Sequence, residues 1–425
     1  LVLFQASEDA RRTMHEVHLA KARRLVVINK RGNEVMATVH SIGASLAFHL
    51  FLSHTWDQGQ DEMRVVKQKL LEMLPDLSIF LDVDDLKEGA GGEYVDKSSV
   101  VLVFCTERYL KSRACARELF KALLERKPMI TVLEPAAKRG GLTREQITHV
   151  LTLETFPSAI PPATRPSHGP SRDGIEAVCE DWSAKWKLDD EVTSWGHTRR
   201  PSGAEILKAL FEHPPIEWNR FSALQDVTMR LIAERLLVNE SFKETFVKGE
   251  IGRVQIMLPP PVEERHFHLY CSPHNLGAEQ LGLELHELIQ SSGAAGSAAL
   301  LVTSDLKQLR SCDFMLLYLT SATWTSGTTS TQYAEEVVAA VKAGVTLLPV
   351  HEFPSALEAN EVRRACDFDA FWRDGWTPKH LLVSEFNIYR QIAIALKAGA
   401  WRRPGLMQVA LKLAEGGLPR QPVKG

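Results

Sequence analysis

Residues 98–124 read SSVVLVFCTERYLKSRACARELFKALL and combine a strand, a turn and a helix. Segment 98–105 is almost wholly apolar, which is typical of a strand covered on both faces. Apolar residues then recur at helical spacing over 116–124. A buried strand that leads directly into a helix indicates an α/β domain. Glu118 lies on that helix, close in sequence to a thiol, a tyrosine and a hydroxyl.

The same alternation of apolar runs and helical periodicity extends on both sides of this stretch. Strands are predicted at 48–53, 77–83, 98–105 and 128–133, and helices at 61–74, 116–124 and 143–153. Helical connections between such strands are right-handed crossovers, which produce a parallel sheet. The predicted fold class is therefore α/β, with a doubly wound parallel sheet flanked by helices.

The second half of the sequence repeats the first. The segment FHLYCS (267–272) matches FHLFLS (48–53), which places Ser272 on Ser53 at an offset of 272 − 53 = 219. Glu336 falls on Glu118 at an offset of 336 − 118 = 218. Offsets that agree within one residue across a domain predict two copies of one fold.

The repeat divides the chain into five predicted segments. Residues 1–45 hold a charged helix (7–24) and two short strands (25–39), and are either the tail of a preceding domain or an addition to the next. Residues 46–238 form the first domain, with an inserted loop rich in Pro, Ser and Gly at 160–174 and a final strand and helix at 215–237. Residues 239–264 are predicted to be a linker, 265–405 a second, degenerate domain, and 406–425 a tail.

Composition narrows the class of protein. With 425 residues, 44% hydrophobic and 24% charged, the chain reads as a globular protein of two or three domains. A formal net charge of −3 gives no electrostatic reason to expect nucleic acid as a partner. The longest apolar run is shorter than the roughly 20 residues of a spanning helix, so no membrane segment is expected. Six scattered cysteines favour a reducing, cytoplasmic compartment.

The first copy resembles the Toll/interleukin-1 receptor (TIR) domain. The resemblance rests on FLSHTWDQ at the end of the first strand, the Gly-rich DVDDLKEGAGG after the second, and a helix motif of the form S-x-W-C-x-x-E-L after the third. The residues that match this last motif and the turn before it are Thr106, Tyr109, Ser112, Cys115, Glu118 and Leu119. The motif tryptophan is replaced by Ala114. The resemblance implies the flavodoxin-like TIR fold in two copies, strongly over 48–135 and weakly from 266 to about 400.

The resemblance also implies a function. TIR domains signal by TIR–TIR association, with themselves or with others, and some of them cleave NAD⁺. In those enzymes the glutamate that matches Glu118 is catalytic. NAD⁺ is then a substrate, and no permanently bound cofactor is expected. The residues predicted to contact the nucleotide are Ser53, His54, Trp56, Asp82, Tyr109 and Cys115.

Several residues have simpler interpretations beside the functional one. An acidic residue in the first turns of a helix, such as Glu118, is favoured by the helix dipole alone. Asp82, Asp84 and Asp85 could hold Mg²⁺, but aspartates at strand ends more commonly cap turns, so no metal site is predicted. Gly89, Gly91 and Gly92 lack the Lys-Ser/Thr of a phosphate loop, and the resemblance implies that the loop 85–96 takes part in self-association.

Two functions follow for the chain as a whole. The first is a TIR-type signalling protein with NAD⁺ glycohydrolase activity carried by Glu118. The alternative is a non-catalytic scaffold, or a module that binds a nucleotide without turnover. The second copy carries Tyr333 at the motif cysteine position and a shorter loop, which predicts that it is not catalytic.

Overall fold

The computed structural model describes residues 23–39, 41–81, 91–153, 181–237, 242–262, 265–383 and 386–416. The chain divides into two compact units, the first over Leu1–Asn219 and Thr228–Lys248 and the second over Arg220–Val227 and Gly249–Gly425. Most of the helix predicted at 7–24, and all of the loop predicted at 160–174, lie outside the described residues. Within the described ranges no helix is both long enough and apolar enough to cross a bilayer.

The strands are numbered in chain order. They are β1 (Leu25–Ile28), β2 (Glu34–Met36), β3 (Phe48–Ser53), β4 (Ile79–Phe80), β5 (Ser98–Cys105), β6 (Met129–Leu133), β7 (Ile216–Glu217), β8 (Glu244–Val247), β9 (Phe267–Tyr270), β10 (Val302–Thr303), β11 (Cys312–Leu319), β12 (Thr346–Glu352) and β13 (Ile394–Leu396). The predicted strands at 48–53 and 98–105 are confirmed residue for residue.

The helices follow the same convention. They are α1 (Trp56–Met73), α2 (Gly91–Asp96), α3 (Arg113–Leu124), α4 (Arg144–Leu153), α5 (Asp189–Ser194), α6 (Gly203–Leu210), α7 (Ser222–Glu234), α8 (Ala278–Ser292), α9 (Thr328–Lys342), α10 (Asn360–Arg363), α11 (Ala370–Arg373) and α12 (Arg402–Ala414). The helices predicted at 61–74, 116–124 and 143–153 are confirmed as α1, α3 and α4, with α1 and α3 beginning earlier than predicted.

Each unit contains a five-stranded parallel sheet. The first has the order β4-β3-β5-β6-β7 and the second the order β10-β9-β11-β12-β13. Numbered within its own sheet, each order is 2-1-3-4-5, which is one of the common doubly wound arrangements. The predicted α/β class, a parallel sheet flanked by helices and present in two copies, is confirmed. The first unit also contains a small antiparallel sheet, in which β1 lies between β2 and β8.

Helices cover both faces of the second sheet. On one face, side chains of α8 and α12 pack with alternate residues of β9 and β11, such as Leu269 and Leu316. On the other face, Tyr333 and Val337 of α9 pack with the intervening residues, such as Met315. All eight residues of β11 are buried, as a central strand of a doubly wound sheet requires.

One hydrogen bond of a histidine side chain occurs at the same place in both sheets. His49 and His268 are the second residues of β3 and β9, at an offset of 268 − 49 = 219. His49 Nδ1 accepts a hydrogen bond of 3.0 Å from the amide of Ser78, just before β4. His268 Nδ1 accepts one of 3.0 Å from the amide of Leu301, just before β10. The same residue therefore fixes the entry to the edge strand in both units.

The segments predicted as linker and tail are partly built into the units. Strand β8 lies within 239–264 and pairs with β1, while Ile256 and Leu258 are buried in the core of the second unit. Helix α12 crosses the predicted boundary at residue 405. Its Arg402 bonds Glu284 and Glu352 at 2.7 Å each, and its apolar side chains are buried. Helix α12 follows the fifth strand of the second sheet, as α7 follows the fifth strand of the first, so it belongs to the fold of the second unit and is not a tail.

Candidate functional site

The site lies at the carboxyl edge of the first sheet, where β3 and β5 are neighbours. In the order 2-1-3-4-5 the connections after the first and third strands run to opposite sides of the sheet. The gap between these two connections is where doubly wound sheets place ligands. Ser53 ends β3, Thr106 follows β5, and Glu118 lies on α3, the helix after β5.

A chain of hydroxyl groups holds the Glu118 carboxylate. Ser53 Oγ lies 2.6 Å from Glu118 Oε2 and 2.8 Å from the Tyr109 hydroxyl oxygen. A carboxylate only accepts, so Ser53 gives its single proton to Glu118 and Tyr109 gives its own to Ser53. Because hydrogen bonds to ionised groups are the strong ones, this arrangement fixes the direction of the carboxylate. Glu118 itself is half-buried, whereas Ser53 and Tyr109 are buried.

Tyr109 is held as a neutral donor. Burial is the main cause that raises the pKa of Tyr109 well above its ordinary value, and the charges of Cys115 and Glu118 add to it. Its backbone amide donates to Thr106 Oγ1 at 3.2 Å, which anchors the 3₁₀ turn Tyr109–Lys111 to the end of β5.

The remaining motif residues position α3. Ser112 is the N-cap of this helix, and its side chain accepts a hydrogen bond from the Cys115 amide at 3.3 Å. Cys115 Sγ lies 3.4 Å from the carbonyl oxygen of His54, which joins the first turn of α3 to the end of β3. Leu119 is fully buried. These contacts bring Glu118 to Ser53 across 65 residues of sequence.

The other residues predicted to contact the nucleotide lie in different environments. His54 is buried, with Nδ1 3.1 Å from the carbonyl oxygen of Leu52, and its ring packs against Gly59. Its predicted contact with the nucleotide stays a prediction. Trp56 is the first residue of α1 and is 60% exposed. Asp82 lies outside the described residues, as do Asp84 and Asp85.

The described part of the chain contains no cluster of three or more His, Cys, Asp or Glu side chains that could hold a metal ion. The described cysteines are also poorly suited to act as nucleophiles. The described cysteines are all free and buried, and burial raises the pKa of Cys105 to about 12. Cys105 therefore stays a thiol and packs as a small apolar side chain.

The corresponding glutamate of the second unit has different partners. Glu336 is only 5% exposed. Its Oε2 accepts from the Tyr270 hydroxyl at 3.0 Å, and its Oε1 lies 2.6 Å from His274 Nδ1. Tyr333, at the motif cysteine position, donates to the carbonyl oxygen of Leu316 at 3.0 Å.

Sequence reasoning did not identify Tyr270 and His274. The offset of 219 places Tyr270 on Phe51 and His274 on Thr55, so two side chains that titrate replace two that do not. A comparison of the two copies position by position, rather than by their shared motif, could have identified Tyr270 and His274. No protein-family model matches the sequence and no curated protein matches it, so the site stands on its geometry.

Proposed function

We propose that the first unit is a TIR-type domain that cleaves the bond between nicotinamide and ribose in NAD⁺, with Glu118 as the catalytic carboxylate. One observation carries the proposal: Glu118 lies at the switch point of a 2-1-3-4-5 sheet and is aimed by the 2.6 Å bond from Ser53. The residues that match the TIR motif all serve to position this carboxylate or its helix.

The chemistry suits a single carboxylate. When the C–N bond breaks, its electron pair passes to the pyridinium nitrogen, so nicotinamide leaves as a neutral molecule and needs no general acid. Positive charge develops on the ribose, and a fixed negative group beside it stabilises the transition state. Water then adds to the ribose carbon and loses a proton, which gives ADP-ribose.

The hydroxyl chain contributes by pre-orienting this carboxylate. A carboxylate has about four acceptor positions, and Ser53 uses one of them on Oε2. A carboxylate that is already held by one hydroxyl can still accept from a ribose hydroxyl. Ser53 in turn accepts the hydrogen bond from Tyr109, so the direction of the Ser53 hydroxyl is fixed. The carboxylate that it holds therefore does not have to reorient when charge develops on the sugar.

The proposal includes TIR–TIR association as the signalling step. The resemblance assigns that role to loop 85–96, and the described end of this loop, α2, lies against α3. Lys121 Nζ is 3.3 Å from Asp96, and a side chain at Gly92 would meet Arg117 at 3.3 Å. A partner bound to this loop would therefore act on the helix that carries Glu118.

The enzymatic part is tested by incubating the full chain with NAD⁺ at high protein concentration and measuring free nicotinamide. We expect release by the parent and a loss of about a hundredfold in Glu118→Ala. Glu125→Ala is the matched control, because it removes a carboxylate at the C-cap of the same helix. Release that survives Glu118→Ala would move the site elsewhere.

A parent that binds NAD⁺ without releasing nicotinamide would support the nucleotide-binding module, and a parent that does neither would support the scaffold. Association is tested separately by light scattering. We expect the parent to form larger species as its concentration rises, and a variant with valine at Gly89 and Gly91 to form fewer. A parent that stays monomeric at every concentration would contradict self-association.

A further inference from the structure

The second unit has its own cluster of titratable side chains at the equivalent switch point. His274 follows the carboxyl end of β9, and Glu336 lies on α9, the helix after β11. Strands β9 and β11 are the first and third strands of the second sheet. This is again the place where a doubly wound sheet accepts a ligand.

The bonding within this cluster assigns the protons. His274 Nδ1 is 2.6 Å from Glu336 Oε1, and the Tyr270 hydroxyl donates to Oε2 at 3.0 Å. Since a carboxylate accepts, Nδ1 carries the proton in this contact. In the neutral ring Nε2 is then the bare, accepting nitrogen. Burial, together with the Glu336 charge, raises the pKa of Tyr270, which keeps its hydroxyl a donor.

Glu336 and His274 also differ in their exposure to solvent. Glu336 is almost completely buried, whereas one third (33%) of the His274 side chain is exposed. Within the described residues, no hydrogen-bond partner is present at Nε2 of His274. A buried carboxylate thus orients a partly exposed imidazole whose accepting nitrogen has no partner among the described residues, which is the geometry of a general base with its orienting group.

The loop that carries His274 is held rigidly. The His274 amide donates to Ser272 Oγ at 3.0 Å. The Asn275 side chain bonds the backbone of Tyr318 twice, donating to its carbonyl oxygen and accepting from its amide, at 2.9 Å each. The loop backbone at His274 is therefore anchored to the central strand β11 through Asn275, as an efficient acid–base group requires.

Apolar side chains at the same edge indicate the class of ligand. Leu276 follows His274 by two residues, and Leu306 follows the carboxyl end of the neighbouring strand β10. Both are exposed, Leu306 by 52%. Exposed leucines at the sheet edge that carries the imidazole suit an uncharged ligand with an apolar part better than a phosphate.

We propose that the second unit is a separate acid–base site, in which His274 acts as a general base on water for the hydrolysis of uncharged esters. Nε2 takes a proton from water, and the oxygen of that water bonds to the ester carbonyl carbon. The tetrahedral intermediate collapses, the bond to the leaving oxygen breaks, and that oxygen takes the proton from Nε2. Glu336 and Tyr270 are positioning residues, because they act through the imidazole. The site does not depend on Glu118 or on NAD⁺.

The first test is hydrolysis of p-nitrophenyl acetate by the full chain. We expect His274→Ala to lower the rate by at least about tenfold, and Glu336→Gln and Tyr270→Phe to lower it by smaller factors. His274→Gln, which keeps a donor for Glu336 but supplies no base, is expected to match His274→Ala. It replaces that variant if the alanine form does not fold, as judged by circular dichroism.

The matched control is His380→Ala, which removes an exposed imidazole elsewhere in the second unit. It should keep the parental rate. Equal rates for the parent and both His274 variants would overturn the proposal, as would an equal loss in His380→Ala, because the hydrolysis would then be a general property of surface imidazoles.

The second readout is the imidazole ¹⁵N spectrum of His274 in the parent. We expect the neutral ring to carry its proton on Nδ1, with Nε2 bare. A neutral ring protonated on Nε2, or a ring protonated on both nitrogens at the pH of the assay, would leave Nε2 unable to accept a proton from water. Either result would overturn the proposal even if the ester assay were positive.

Discussion

At the scale of single residues, the first site depends on which hydroxyl meets the Glu118 carboxylate. The sequence placed Ser53 and Tyr109 among the residues expected to contact the nucleotide. In the structure they are partners of Glu118, with Ser53 Oγ 2.6 Å from its Oε2 and the Tyr109 hydroxyl bonded to Ser53. Their predicted contact with the nucleotide stays a prediction, but their first effect is to orient the carboxylate.

Ser53→Ala should therefore impair catalysis more than binding. A hydrogen bond to a charged group contributes about 1.5–3 kcal/mol, so we expect kcat for nicotinamide release to fall by about tenfold or more, with a small change in KM. Tyr109→Phe keeps the bond between Ser53 and Glu118 and should have the weaker effect. Steady-state kinetics on both variants tests this order, and a Ser53→Ala enzyme with the parental kcat would refute it.

A buried histidine gives a prediction on pH. His351 of β12 is fully buried, and burial lowers its pKa from the ordinary histidine value of 6.5 to about 3. Below pH 6.5 the unfolded chain binds a proton at this ring, while the folded chain does not. The stability that this neutral ring contributes is thus complete above that pH and is lost as the pH falls from 6.5 towards 3.

The slope from one such proton is about 1.4 kcal/mol per pH unit. In denaturant unfolding of the second unit at pH 7 and pH 5, the parent should lose about 2 kcal/mol more stability than His351→Leu. Identical losses in the two proteins would show that the ring is protonated in the folded state.

At the scale of elements, local sequence is a good guide wherever an element is buried on both faces or capped by its own residues. The runs at 48–53 and 98–105 could be predicted because they are apolar throughout. The first and last residues of edge strands could not be predicted in this way. The strand predicted at 77–83 is β4, which covers only Ile79–Phe80 of the described residues, because its length is set by pairing with β3.

Helix α6 begins at a glycine for a steric reason. A Cβ at Gly203 would lie 1.9 Å from the backbone oxygen of Leu151, at the end of α4. A helix start elsewhere tolerates alanine, but here two backbones approach closely. The capping box formed by Ser202 and Glu205 holds the start of α6 at this point.

Gly203→Ala should therefore lower the free energy of unfolding of the first unit by at least about 2 kcal/mol, because backbone has to move. Gly43→Ala is the control, since a Cβ there meets nothing within 4 Å. Thermal or denaturant unfolding compares the two variants. Equal stability of both would mean that α4 and α6 do not approach as closely as described.

At the scale of the whole molecule, the chain contains two sheets of one topology with different chemistry at equivalent points. The matched offsets predicted the duplication, and the shared roles of His49 and His268 extend it to single hydrogen bonds. The offset does not hold at the end of the repeat, since α12 begins only 402 − 222 = 180 residues after α7. Most of α12 was therefore assigned to a tail, although it follows β13 as α7 follows β7 and its sequence is apolar enough to be buried.

The structure makes α12 part of the second core, which predicts the effect of truncation. A chain that ends at residue 401 loses the buried side chains of α12 and leaves Glu352, which is fully buried, without Arg402. We expect the second unit to lose its cooperative unfolding transition, because an uncompensated buried charge and an uncovered core both destabilise it. The full chain is the reference for this comparison. A normal transition in the shorter chain would show that α12 is dispensable.

The central claim is that the carboxylate of Glu118 forms a catalytic site for NAD⁺ in the first unit. The most direct measurement is the rate of nicotinamide release from NAD⁺ by Glu118→Ala and by Glu125→Ala, at one protein concentration and with folding verified for both. The account predicts parental release by Glu125→Ala and about a hundredfold slower release by Glu118→Ala. Equal rates in these two variants, or no release by the parent, would contradict it.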